Sequence, residues 1–451
     1  MLLISSPALK KIGTNLNQDS THLSLGFAAR RFAKLATQIG IEVCGIDLTD
    51  SCRSSIAMDY YRVQPQINME EDGDTSKPRK TSLAKEANNP KVAHLSLAAW
   101  TDMRLVTPAD MNIAHLSWEQ TYLADTPAYE SFGTSMSNTL KVFDRIWACA
   151  DFVSDALKAK GLQNVTTFPT PICPPQIRSG NTKNLEMELR SLNDNIFSPY
   201  LLQGPGDIIT TATKNCLESD EACRMLDIFR RKKQSKNDRL QLFITQGNTG
   251  DARKGLFPLL IGFGLFAASF PGEAYLVVKT SPRTRLMILD ELNAQTPDQI
   301  RWGWWGSKNI LFLPGNLTDE AQKELYSIAD YYICCPVAEG QNVPLQEAIQ
   351  CGCYPIAPLH TAMAEYLTED LISKIPTEMR AMDPLKYCGF PLQSYEGHVA
   401  DCLDIADACQ RAVDTNASTR DRQVRELQEK HLQRYTDAEL TVKLAAELGL
   451  V

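Results

Sequence analysis

Short apolar runs alternate with longer amphipathic stretches along most of this chain. Leu2-Leu-Ile-Ser5 predicts a first buried strand. A long loop follows over 7–19, with Gly13 and Thr14 inside it. Residues 22–39 predict a helix that stops at Gly40, and 41–47 predict a second strand. A strand–loop–helix–strand start is how doubly wound α/β sheets begin. The polar stretch 68–90 predicts a mobile surface loop. Strands are expected to resume at 92–97, 111–117 and 143–149, with a helix before Gly161 and a last strand over 165–172. Residues 173–238 are less regular. They hold Cys173-Pro-Pro, Gln203-Gly-Pro-Gly206 and the basic run Arg230-Arg-Lys-Lys233, and read as an interdomain linker or insertion with some helix. A second α/β unit starts at Leu240-Gln-Leu-Phe-Ile-Thr-Gln246 and closes on helical stretches at 418–433 and 437–448. No internal repeat of fixed period is present in the sequence.

Within that second unit, Glu339-Gly-Gln-Asn-Val-Pro-Leu-Gln-Glu347 follows the apolar run Tyr331-Tyr-Ile-Cys-Cys-Pro336. The pattern predicts a strand, a tight loop with Glu339, a short helix carrying Glu347, and another buried strand. In an open α/β sheet, ligands bind where strand ends meet helix starts. The helix N-terminus near Val343 would present N–H groups and a positive dipole end, which suits a phosphate. One turn along, Glu347 falls on the same side as Val343. A carboxylate at each end and an anion site between them fit a sugar, a diphosphate and a ribose in a row.

This ordered set resembles the donor site of retaining glycosyltransferases with the GT-B fold, especially family 4. Those enzymes carry Glu, seven residues, Glu-Ala, a glycine-containing turn and a Pro-Ile/Val strand. Here the continuation is Glu347-Ala348-Ile-Gln-Cys-Gly352-Cys-Tyr-Pro355-Ile356-Ala357. The segments from Leu313 to Asp330 and from Asp144 to Gly161 also resemble the family, and the likeness covers most of 239–370. It implies two Rossmann-like, doubly wound domains facing a cleft. Residues 1–172 would bind the acceptor, 173–238 would connect, and 239–432 would bind a nucleotide-sugar. A terminal helix at about 433–451 would pack back on the first domain. The implied activity is retaining, metal-independent sugar transfer to a glycan, lipid-linked or protein acceptor, with the nucleotide-sugar as co-substrate and no cofactor.

The resemblance also implies roles for particular residues. Glu339 would face the donor sugar hydroxyls, helped by Gln341 and the backbone N–H groups of Asn342 and Val343. Glu347 would accept from the ribose hydroxyls. Lys254, with Gly255 after it, matches the lysine of the family's diphosphate turn, whereas Asn248 stands where the family's arginine is usual. Arg253 and Lys279 are nearby cations that could compensate. Helix starts favour acids, so Arg253-Lys254 is electrostatically odd at one unless an anion is present. Gly13 and Thr14 sit where relatives have a glycine-rich loop under the diphosphate, and the nucleobase would rest near 313–317, around Pro314. His115 is either a histidine close to the reacting sugar or a hydrogen-bonded core histidine. Glu119 is either an acceptor-binding carboxylate or a surface residue. The aromatic loop Arg301-Trp302-Gly-Trp304-Trp305 could pack or stack on a sugar.

Composition narrows the classes. With 451 residues and 43% hydrophobic content, the chain can bury the core of two or three domains. A net charge of −8 argues against a nucleic-acid partner. Arg30, Arg31 and Lys34 share a helix with Leu25, Phe27 and Phe32, which allows peripheral membrane contact at most or an ordinary solvated helix. No apolar run approaches the ~20 residues of a membrane span. No signal peptide is read at the start, and thirteen cysteines scattered through apolar segments suit reduced thiols, so a cytoplasmic location is expected. A competing expectation is a non-catalytic GT-B protein that binds or scaffolds another transferase.

Overall fold

The computed structural model describes residues 1–6, 20–47, 60–62, 92–97, 109–119, 123, 135–175, 182–192, 196, 221–234, 239–247, 252–270, 272–280, 309–383, 387 and 395–450; within these, 20–27, 46–47, 60–62 and 221–222 are described by backbone alone. The chain divides into two compact units. One comprises Met1–Ile172, Phe390–Gln393 and Gln433–Val451, the other Cys173–Gly389 and Ser394–Leu432. Each is an α/β unit built on a parallel sheet, the fold class the apolar runs predict.

The first sheet has seven strands: β1 (Leu2–Ser6), β2 (Val43–Asp47), β3 (Tyr60–Arg62), β4 (Ala93–Ser96), β5 (Met111–Leu116), β6 (Arg145–Ala148) and β7 (Val165–Thr167). Their order is β3-β2-β1-β4-β5-β6-β7, parallel except for the antiparallel edge strand β3. Helices cover parallel sheets on both faces, so the central strands β1, β4 and β5 are almost wholly buried, whereas β6 begins on the exposed Arg145 and β7 is only part-buried. Leu2, Ile4, Phe32, Leu35, Trp147 and Phe168 form the core, with Leu440 and Leu444 of the helix Asp437–Glu447 packed into it. That helix is held at the surface by Lys34 to Asp437 (2.9 Å) and Trp147 Nε1 to Glu447 (3.3 Å). Arg31 donates to the Pro171 carbonyl at 2.6 Å. The described part of the basic helix face is thus engaged within its own unit. The last strand is shorter than the expected 165–172, because Pro169 and Pro171 have no N–H to give a ladder.

The second sheet has six parallel strands: β8 (Gln241–Gln246), β9 (Ala274–Thr280), β10 (Ile310–Pro314), β11 (Tyr331–Ile333), β12 (Tyr354–Ala357) and β13 (Ser373–Lys374). Their order, β10-β9-β8-β11-β12-β13, reverses direction between β8 and β11. A separate hairpin joins β14 (Glu378–Ala381) to β15 (Glu396–Val399). The described helices of 173–238 belong to this unit rather than to a bare connection. In the helix Lys183–Ser191, Asn184 Nδ2 and the Leu185 N–H both donate to the buried Glu324 carboxylate, at 2.9 and 2.8 Å. Glu188 of the same helix accepts from the Thr318 N–H (3.1 Å) and hydroxyl. Lys232, from Glu221–Gln234, pairs with Asp330 at 2.5 Å. No helix among the described residues is long and apolar enough to cross a membrane.

Candidate functional site

Two loops leave the carboxyl ends of β8 and β11, the strands between which the order reverses. Crevices form at such switch points because the flanking connections diverge to opposite faces. After β8 the chain makes a tight turn, Ala252–Lys254, and enters the helix Leu256–Ala267 through Gly255. Gly255 has φ +62°, and a methyl group there would fall 2.0 Å from the Cys335 carbonyl oxygen. Only glycine lets this turn lie flat on the β11 loop. The two loops are then fastened: the Val337 N–H donates to the Arg253 carbonyl (2.7 Å), and the Cys335 thiol to the Gly255 carbonyl (3.0 Å).

That fastening brings Arg253, Lys254 and Glu339 together. Lys254 Nζ lies 2.6 Å from Glu339 Oε1. Arg253 Nη1 lies 3.3 Å from Oε2 and donates to the Ala338 carbonyl at 3.0 Å. Glu339 is only 4% exposed. A carboxylate so buried needs partners of opposite charge, and the two cations supply them. Its own N–H donates to Thr361 Oγ1 at 3.1 Å. A pocket opens beside it, bounded by Thr245, Gln246, Lys254, Cys334, Glu339 and Asn342.

Asn342 begins the helix Val343–Gln350 in the left-handed region, φ 60°, which asparagine tolerates better than most residues. Its side-chain amide points at the Cys334 and Met363 sulfurs (3.6 and 3.4 Å) and does not cap the helix. The Leu345 and Gln346 N–H groups both donate to the Asn342 carbonyl, and Pro344 has no N–H. This helix start is therefore a leaner anion site than its position suggests, with the Val343 N–H as its first-turn donor. The Gln341 amide is spent on Gln346, at 2.9 Å. Glu347 is buried on the same helix, and its charge adds to the burial that pushes the Tyr326 phenol well above its usual range.

The remaining expected residues fall elsewhere. Lys279 is next to last in β9, level with Gln246 of β8, but its ammonium turns to the Gly315 carbonyl just past Pro314. Burial pulls its pKa down to about 8, against the raising effect of Glu188. It does not join Arg253 and Lys254 on Glu339. His115 lies inside β5, with its ring edge-on to Phe32 (4.9 Å) and Nε2 donating to the Phe168 carbonyl (3.0 Å). Burial lowers its pKa to about 4. The structure thus gives it the surroundings of a hydrogen-bonded core histidine, not of a group at the strand tip. Glu119 is half-buried just beyond β5. Gly13, Thr14, Asn248 and the Trp302–Trp305 loop lie outside the described residues. Among the described residues, no group of three His, Cys, Asp or Glu side chains is placed to hold a metal ion. Thr361 was not singled out by the sequence; a β-branched residue gives no local sign that it will adopt φ 48° and cap the Glu339 N–H.

No family model matches the chain, and no curated protein matches it. Solved structures do resemble it. One is the N-terminal domain of Candida albicans trehalose-6-phosphate phosphatase, at 15% identity and TM-score 0.46 over 81% of this chain and 71% of that one. A second, described as trehalose-6-phosphate from Escherichia coli bound with UDP-2-fluoro glucose, has 11% identity and TM-score 0.48 over 81% and 74%. A third, an α,α-trehalose-phosphate synthase (UDP-forming) from Burkholderia vietnamiensis, has 11% identity and TM-score 0.49 over 80% and 74%.

Proposed function

We propose that this protein is a retaining glycosyltransferase that takes a sugar from a nucleotide-sugar held at the second unit's pocket and passes it to a glycan, lipid-linked or other acceptor. The observation that carries the reading is the convergence of Arg253, Lys254 and Glu339 at the switch between β8 and β11. A lysine ammonium has three N–H donors, so Lys254 can bridge Glu339 and a phosphate oxygen at once. Glu339 then accepts from donor sugar hydroxyls, the Val343 N–H faces the diphosphate, and Glu347 takes the ribose hydroxyls.

A departing nucleoside diphosphate gains negative charge as its bond to the anomeric carbon breaks. A fixed cation therefore stabilises the transition state more than the bound donor. In front-face displacement the acceptor oxygen attacks on the side the phosphate leaves, and the leaving phosphate oxygen takes the acceptor's proton. That route asks for positioned cations and no protein nucleophile. In this reading the first unit binds the acceptor and the cations do the work a metal would otherwise do.

The test is a thermal-stability screen against nucleotide sugars and nucleoside diphosphates, followed by transfer assays on extract-derived acceptors. A ligand at a hundred times its dissociation constant adds about 2.7 kcal/mol. Stabilisation by one nucleotide class, with transfer or donor hydrolysis, is expected; no stabilisation by any of them sinks the proposal. Binding without turnover would instead favour a non-catalytic GT-B binding partner, the reading that Asn248 at the family's arginine position supports.

A further inference from the structure

The Glu339 loop has a second side, away from Arg253 and Lys254. There the Glu339 N–H donates to Thr361 Oγ1 (3.1 Å), and the Ala362 N–H donates back to the Glu339 carbonyl (3.3 Å). The hairpin presses on the same loop. The His398 N–H of β15 donates to the Val337 carbonyl at 3.0 Å, and a methyl group at Gly397 would fall 2.1 Å from Val337 Cγ1. Between these contacts lie two imidazoles. The rings of His360 and His398 stack 4.1 Å apart and within 5° of parallel, and His360 Nδ1 is 3.3 Å from Thr361 Oγ1.

Thr361 needs such support. It is β-branched with φ 48°, and a residue in that region persists only where its surroundings over-determine it. Its hydroxyl has one proton and two lone pairs, so it can serve the Glu339 N–H and the His360 ring together. The stack fixes the ring, the ring fixes the hydroxyl, and the hydroxyl fixes the backbone of Glu339. His360 is 4% exposed, and burial together with the His398 ring beside it holds its pKa at about 3, so the ring is neutral.

We propose that His360, Thr361 and His398 are positioning residues that set the Glu339 carboxylate at the pocket, by a hydrogen-bonded and stacked brace between the hairpin and the Glu339 loop. Its bearing on catalysis rests on the donor reading above; the brace itself does not. Thr361→Gly suits the left-handed backbone and deletes the hydroxyl, Thr361→Ser keeps the hydroxyl, and His360→Phe keeps a flat ring and deletes Nδ1.

Amide hydrogen exchange at Glu339 reads the brace without a donor. Thr361→Gly should exchange there about tenfold or more faster than the parent, with the β8 and β11 core amides unchanged. With the donor found by the stability screen, Thr361→Gly and His360→Phe should each lower kcat about tenfold while donor KM stays within about twofold, and Thr361→Ser should restore turnover. The double variant should be no worse than either single one, because the two act in series. An unchanged Glu339 amide, an unchanged kcat on a confirmed donor, or fully additive losses would each overturn the proposal. Faster exchange in Thr361→Gly, in a parent that binds no nucleotide sugar, supports the brace and removes the donor reading alone.

Discussion

Both units bury a chain of polar side chains near the point where their strand order reverses, yet the two chains differ in what they can do. In the first unit, Ser5 Oγ lies 2.9 Å from His94 Nε2, and His94 Nδ1 lies 3.0 Å from Asn112 Oδ1. The amide oxygen only accepts, so Nδ1 carries the proton and Nε2 takes the serine's. That is the order of nucleophile, base and orienting group. Ser5 and His94, however, are 0% exposed, and their strands β1 and β4 are neighbours in the middle of the sheet. Burial lowers the His94 pKa, partly opposed by the Asn112 hydrogen bond. In the second unit Glu339 is nearly as buried, but it sits beyond the strand ends, and Lys254 and Glu339 both line a pocket. Buried polar side chains that satisfy one another are common to the two; access is not. A polar chain closed on itself satisfies a core, whereas one that ends on a pocket can meet a ligand.

The contrast can be broken by substitution. Lys254→Ala should lower turnover about 10²–10³-fold, as removal of one transition-state stabiliser costs ~3–4 kcal/mol. Steady-state kinetics on a confirmed donor measures it, and undiminished turnover would mean that the phosphate site lies elsewhere. Ser5→Ala leaves His94 Nε2 without its donor, which should cost about 1–3 kcal/mol of stability by urea unfolding and leave kcat alone. If turnover fell while stability held, the first unit's chain would be a site after all. The smallest effect is read through pH, to which His94, His360 and His398, also lowered by burial, contribute in the same direction as His115. His115, lowered to about 4 from an ordinary 6.5, is neutral in the fold and takes a proton more readily when unfolded. Its contribution is whole well above pH 6.5 and is lost as pH falls from 6.5 to 4, by roughly 1 kcal/mol between pH 6.5 and 5.5, where the unfolded ring is still filling with protons. Urea midpoints at pH 7 and 5.5 should show this, and His115→Gln should flatten the slope.

The parallel strands were legible because burial on both faces leaves continuous apolar runs, as in Leu276, Val277 and Val278 of β9. The hairpin strand Glu378–Ala381 was not, since all four of its residues are exposed and its alternation, Met379 and Ala381 between polar neighbours, is too short to stand out. Glu339 and Lys254, which the family resemblance assigned to one site, both border one pocket. Lys279 shows the limit of that reasoning. Its strand end was placed correctly, but successive strand residues face opposite sides, and spacing alone does not say which neighbour a long side chain will find. It found Gly315. The His360–Thr361–His398 contact joins an irregular loop to a hairpin strand, and no periodicity links residues so far apart in sequence.

The helix Lys183–Ser191 bears on how this protein could have been assembled over evolutionary time. A second unit cut from its parent at β8 would take the helix Asp319–Ile328 without the partners of Glu324, and would strand a buried carboxylate with neither the Asn184 amide nor the Leu185 N–H. Thr318, which caps that helix, would also lose Glu188. A piece that carries its own partners for Glu324 and Thr318 would have to begin ahead of the helix Lys183–Ser191. Recombination at the apparent seam before β8 would pass on a sheet with an unanswered charge beneath its own helix layer.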